Sequence, residues 1–448
     1  MATIDYASPG IAHGYPNYTE NLKTVYGKPV TLLNQDVAYF RTQLRKLKGS
    51  NLGGDTFKEF IYHRAPGGDT LSKAQSGIVN LRPAKGAVGD NVEIRGCNYY
   101  KSIIMSPEYQ KDAESPMAAF EAGTRPVMEK AMDDASYKLE ALYIHSQSSN
   151  GYGVLQSGVT TWSTGATKVV PVTKETFLYG FWPHATGYYV DVWASTLGTG
   201  DKRNTDRIYV DNFDPSATAP TLTLKTDSGN APSTPLAFVA GDLIVPEGLY
   251  EDTGSTVVSH GCVGLLKALS VTAGVLNGID NTLIPGYKAQ QYAMGGPVSI
   301  QSVRRAILQG QRLGYLTKGM DLRFIASPVH LNTLNDEFNF LLQKDASYAS
   351  SLGEAGFDRF CLYGNGIKVE MVPHSLLNDS VGMILDFTKE NLCIAGPTDL
   401  DWEPLTPDGS LFGPLFPYST GYGALLHDKT SPYVRLPNVH TLITGMTY

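Results

Sequence analysis

Charge is scarce in this chain. Only 18% of its 448 residues are Asp, Glu, Lys or Arg, below the usual quarter of a globular domain. A long chain that carries so little charge has much of its surface covered by something else. The net charge is −7, which argues against a general nucleic-acid binder, since those draw their affinity from a basic excess. Cysteine is scarce too. Cys97, Cys262, Cys361 and Cys393 are far apart and form no CxxC pair, so neither a zinc site nor a disulfide framework is expected, and the thiols are read as reduced and buried. Missing as well are an apolar run of membrane-spanning length and the basic-then-apolar leader of a secreted chain. A membrane partner is therefore not expected.

The usual signatures of chemistry are also absent. The nine histidines include no HExxH pair, so no metal site is expected. Gly151-Tyr152-Gly153 follows a helix and lacks the third glycine of a dinucleotide loop. Asp252-Thr253-Gly254-Ser255 has the letters of an aspartic-protease triplet, but that chemistry needs two carboxylates sharing a proton and there is one copy, so a turn is expected. The expectation is of no catalytic residues, no cofactor and no enzyme.

What the chain does have is architecture. Residues 1–33 read as an extended arm. Asn34 then caps a short helix with Val37, Phe40, Leu44 and Leu47 on one face, ending at Gly49. Residues 51–100 alternate glycines with short β-prone pieces such as FIYHRA and NVEIRG, a long hairpin with too few apolar residues to fold by itself. From Ser115 to Gln147 the spacing predicts a long helix, about 50 Å at ~1.5 Å per residue. Val127, Ala131, Ala135, Leu139 and Leu142 form one narrow apolar stripe, Lys130, Asp134 and Lys138 a ladder on another face, and Gly123 and Pro126 mark a bend. The stretch 152–262 is β-rich and holds three of the four tryptophans, as expected of a small barrel or sandwich. Residues 263–400 turn to mixed α/β: Ser299 caps IQSVRRAILQGQRLG, RFIAS is a strand, Ser327-Pro328 opens another helix, and GIKVEMVPHS and VGMILDF are buried strands. NVHTLITGMTY closes the chain as a final strand.

Charge and tyrosine point toward association. Residues 1–50 carry six Lys or Arg against three Asp or Glu, and residues 151–260 carry six against eleven. The 26 tyrosines suit a β-rich protein and equally suit protein interfaces. The basic cluster Arg41, Arg45, Lys46 and Lys48 has two readings, a contact for an acidic partner or a solvated helix end near the negative dipole pole.

This order of elements resembles the major capsid protein of tailed bacteriophages, the Hong Kong ninety-seven type fold. The text RFIASPVHLNTL, then IKVEMVPHS, then MILDFTKENLCIAG is nearest to it. The resemblance implies an α+β chain with an N-terminal arm over 1–50, an extended β-hairpin loop over 51–105, and a spine helix and peripheral domain over 106–151. It implies an inserted small β domain over 152–262, an axial α/β domain over 263–400, and returning peripheral strands over 401–448. It implies a structural role: hexamers and pentamers of this chain closing into an icosahedral shell around double-stranded DNA, without sequence-specific binding to it. The expected place is the virion, assembled in the host bacterial cytoplasm, with scaffolding, portal and decoration proteins as possible partners. Alternatives are an encapsulin-like nanocompartment shell holding protein cargo, and a phage tail or adhesin β protein. The candidate assembly contacts are Arg41, Arg45, Lys46, Phe57, Phe60, Ile61, Ile78 and Val79. The candidate hinge is Gly123 and Pro126.

Overall fold

The computed structural model describes residues 38–48, 56–65, 86–105, 125–158, 160–215, 219–284, 286–343, 361–364, 366–403, 413–414 and 422–447, with isolated positions between them. The chain is α+β, mostly strands with few helices. The arm before residue 38, Ile78, Val79, Gly123 and the Ser115 start of the long helix lie outside the described residues.

The first helix, α1, is Tyr39–Gln43, shorter than the sequence spacing predicts. Leu44 turns extended, with ψ 139°, and Arg45–Lys48 is a strand. It pairs in parallel with the Leu392–Glu403 strand, Leu47 opposite Ala395. The ladder bonds of a sheet edge outcompete another helical turn whose capping residues would be alone in solvent. Around the Tyr422–Val434 strand the sheet is completed by Leu392–Glu403 on one side and Tyr99–Met105 on the other. Gly96 and Gly396 both approach the Lys429 carbonyl so closely that an added Cβ would lie 2.2 and 2.3 Å from its oxygen.

Against this sheet lies α2, Arg125–His145. Its first turns are half exposed, but from Leu139 to His145 every residue is buried. The single narrow stripe predicted from the sequence is therefore wrong for the C-terminal half, which is enclosed on all sides. The ladder holds at Asp134 and Lys138. Asp134 takes Lys138 at 2.8 Å and Lys101 from the neighbouring strand, while Lys130 reaches Asp133 at 3.5 Å.

Six antiparallel strands between Gly153 and Pro246 form one sheet. Its edges meet: Leu155 bridges Val172, Gln156 N–H donates to Pro171 O at 2.9 Å, and Thr173 N–H to Val154 O at 2.8 Å. The sheet thus closes into a small barrel and leaves no open edge there. Trp162, Trp182 and Trp193 are fully buried. The Tyr189–Trp193 strand is covered on both faces, with Val190 and Val192 in the main core and Trp193 in a separate cluster with Leu243 and Tyr250. The short helix α3, Leu265–Ser270, leads out.

The last sheet runs from the Gln290–Pro297 edge through Thr441–Thr447, Val381–Asp386, Leu322–Ala326 and Ile367–Pro373 to Cys361–Gly364. The two buried strands 367–373 and 381–386 are not neighbours; Leu322–Ala326 lies between them, parallel to the first and antiparallel to the second. Helix α4, Ile300–Arg312, starts at a reciprocal cap, Ser302 N–H to Ser299 Oγ at 3.1 Å and Ser299 N–H to Ser302 Oγ at 2.9 Å. Val303, Ile307, Phe324 and Leu334 share its core, the last from α5, Pro328–Gln343.

The glycine pair gives a direct check on the packing of the first sheet. Gly96→Ala or Gly396→Ala forces backbone apart at Lys429 and should cost about 1–3 kcal/mol, read as a lowered urea midpoint. An unchanged midpoint would contradict the close approach.

Candidate subunit interface

The hairpin pairs Thr56–Arg64 with Val88–Arg95. Its two faces differ. At the root, Val92 and Ile94 are buried, and the Phe57 ring meets Tyr433 with centroids 6.3 Å apart. The Glu59 carboxylate accepts from Tyr433 Oη at 2.9 Å and pairs with Arg435. Glu93 N–H donates to Asn277 O at 2.9 Å. Across the ribbon Lys58 faces Glu93 and the two side chains pair.

Ile61 packs inward on the main core, but the outer face of the ribbon is bare. Phe60 is 49% exposed, Tyr62 70% and Val88 45%. The Phe60 and Tyr62 rings touch edge to face at 4.9 Å. Phe60 also lies over Gly89, where an added Cβ would be 2.6 Å from the ring. Lys58, Phe60 and Tyr62 alternate with the inward Phe57, Glu59 and Ile61, so the aromatics form the outer face of a period-two strand.

The segment leaving toward the arm is held from several sides. Glu140, on α2 and without exposure, accepts the Phe40 N–H at 2.6 Å and the Arg41 N–H at 3.3 Å, and His374 Nε2 lies 3.3 Å from it. A carboxylate on the first free amides of α1 suits both their unmet bonds and the helix dipole. Tyr39 Oη accepts from Arg323 at 2.7 Å, and that guanidinium stands 4.4 Å over the Phe387 ring.

The three basic candidates are paired within the chain. Arg41 is almost fully buried, 3.1 Å from Asp399 and 3.9 Å from Asp428. Lys46 pairs with Asp399, and Arg45, 70% exposed, pairs with Glu390. Arg45 and Lys46 sit on a strand, so neither ends a helix. Phe57 and Ile61 belong to the inner face of the ribbon, Phe60 to the bare outer face. Pro126 is in α2; Ile78, Val79 and Gly123 lie outside the described residues. Sequence reasoning missed the partners Glu59, Glu140, Asp399, Asp428 and Glu390. Glu140 alone left a signal, a single carboxylate inside the apolar text LEALYI.

Burial pushes the Asp428 carboxyl up to about 6, against the lowering effect of Thr430 and Arg41. Burial holds His145 and His440 down to about 4. His145 Nε2 donates to Leu376 O at 2.7 Å, and His440 Nδ1 accepts the Asp386 N–H at 3.1 Å, as neutral rings do.

No family model matches the chain, and no curated protein does. Solved structures do. The chain is similar to the capsid asymmetric unit of cyanophage A-1(L), at 10% identity and a TM-score of 0.48 over 95% of this chain and 98% of that one. It is similar to the capsid of Myoviridae phage XM1, at 9% identity and 0.43 over 96% and 98%. It is similar to the holo-SrpI encapsulin complex from Synechococcus elongatus PCC 7942, at 8% identity and 0.42 over 96% and 97%.

The buried groups set the acid response. Folded Asp428 holds its proton more tightly than the unfolded chain does, so between about pH 4 and 6 it adds stability as pH falls. The two histidines act oppositely: each takes stability away as pH falls from about 6.5 toward 4. Acidification should lower the melting temperature. In Asp428→Asn the fall between pH 6 and 4 should be steeper, by on the order of 2 kcal/mol, as melts across that range would show; parallel curves would contradict it.

Proposed function

We propose that this chain is the major capsid subunit of a tailed phage, building an icosahedral shell from hexamers and pentamers. The observation that carries it is the hairpin: a two-stranded ribbon fixed by its inner face whose outer face presents Phe60, Tyr62 and Val88 to solvent. A two-stranded ribbon is marginal in water by itself, and aromatic groups gathered on an unpaired ribbon mark a protein contact. The root leaves no room for the ribbon to fold back, because Phe57, Glu59, Val92 and Ile94 already fix its inner face. The covering surface therefore belongs to another copy. A projecting element that meets a different part of its neighbour is a heterologous contact, and such contacts close into rings and shells when the rotation fits.

In this reading 1–50 is the arm, 51–105 the overlapping loop, 106–151 the spine with the peripheral sheet, and 401–448 the strands that return to it. The barrel within 152–262 is an accessory domain, and 263–400 is the axial domain around the capsomer axes. The role is structural and not enzymatic. The shell encloses double-stranded DNA and stands in the virion, formed in the host cytoplasm with scaffolding, portal and decoration proteins at hand.

The exposed ring pair can be removed without touching the core. Phe60→Ser with Tyr62→Ser should leave a folded monomer, melting within a few degrees of wild type, that forms no large closed particles in sedimentation and negative-stain imaging. Normal particles from this variant would refute the role given to the hairpin.

A further inference from the structure

Among the described residues, two surfaces of this chain carry exposed charge that no Lys, Arg, Asp or Glu side chain of the opposite sign meets. The first is the outer face of α4. Arg304, Arg305, Leu308, Arg312 and Leu313 are exposed there, Leu308 by 50% and Leu313 by 55%. Val303, Ala306, Ile307 and Gly310 face the axial core instead. Arg304 and Arg312 are about 12 Å apart along the axis at ~1.5 Å per residue. Among the described residues no carboxylate pairs with any of the three arginines, although the chain as a whole is acidic.

The second surface is a lobe of the barrel region. The Tyr250–Asp252 and Val257–Ser259 strands pair with Glu251 opposite Val258, so these two side chains share one face, 62% and 39% exposed. Asp252 accepts the Gly254 N–H at 2.8 Å and the Gly200 N–H, and Asp201, in the adjoining loop, accepts the Gly198 N–H at 2.6 Å. The Thr196 hydroxyl and then the Gly198 N–H hold the Asp201 carboxyl below the usual range, and the Gly200 and Gly254 N–H groups hold Asp252 there. Among the described residues no Lys or Arg pairs with Asp201, Glu251 or Asp252; the His260 ring lies 2.7 Å from Glu251.

We propose that the outer face of α4 receives the acidic lobe of a neighbouring copy, Arg304, Arg305 and Arg312 meeting Asp201, Glu251 and Asp252 while Leu308 covers Val258. This rests on the head-to-tail assembly proposed above. Three cations and two leucines on one side match three carboxylates and a valine on the other, and the two surfaces lie on different parts of the chain, as a heterologous contact requires. The exposed leucines favour a protein over a nucleic-acid backbone as the occupant. Charge complementarity of this kind fixes register and suppresses wrong pairings.

The test is a charge swap in the full chain, with assembly read by sedimentation and negative-stain imaging, and folding by thermal melting. Arg304→Glu with Arg305→Glu should lower the assembled fraction roughly tenfold or more with little change in melting temperature. Glu251→Lys with Asp252→Lys should do the same; Glu251→Lys alone, which spares the backbone bonds of Asp252, should act in the same direction. All four changes in one chain should recover assembly. The proposal is overturned if either pair assembles like wild type, or if the fourfold variant is no better than its parents. It is also overturned if the arginine variant forms normal particles that hold less DNA, since the face would then meet the genome. A wild-type chain that stays monomeric would instead sink the capsid reading itself, and this contact with it.

Discussion

A two-stranded ribbon has two faces, and among the described residues only one of them lies on the protein's own body. That constraint organises the rest. The inner face is committed at the root by Phe57, Glu59, Val92 and Ile94. The outer face keeps Phe60 and Tyr62 in water, which is costly for a lone chain, since each buried aromatic is worth a few kcal/mol. Behind the ribbon, the sheet around Tyr422–Val434, the enclosed half of α2 and the closed barrel share one core, while α4 and α5 pack in a second.

The electrostatics follow the same division. Where the arm enters, charges are buried and matched: Glu140 on the α1 amides, Arg41 between Asp399 and Asp428. Breaking one member of such a set leaves an uncompensated charge and is strongly destabilising. At α4, among the described residues, Arg304, Arg305 and Arg312 are exposed and meet no carboxylate, so their charge is open to salt.

Much of this was legible in the sequence because it is local. Ser299 announced a cap, Ser327-Pro328 a helix start, and the glycine-broken pieces after residue 51 a hairpin, all through bonds within a few residues. What escaped was set by partners far along the chain. Leu47 lies at helical spacing from Leu44, yet its strand is dictated by Ala395, about 350 residues away. The enclosure of Leu139 to His145 comes from elements far from it in sequence on both sides, α1 before it and α3 after it. The basic cluster at 41–46 looked like a surface patch because Asp399, Asp428 and Glu390 cannot be placed beside it without the fold. Phe60 is legible as part of a shortage of private core over 51–100, a property of composition that needs no long-range pairing; Tyr62 joins it only through the period-two face of the strand.

The central claim concerns one surface in two states. Chemical footprinting of Tyr62, compared between dissociated subunits and purified particles, tests it most directly. The account predicts a reactive phenol in the subunit and strong protection in the particle. Equal reactivity in both would mean that no neighbour covers the ribbon, and the assembly reading would fail.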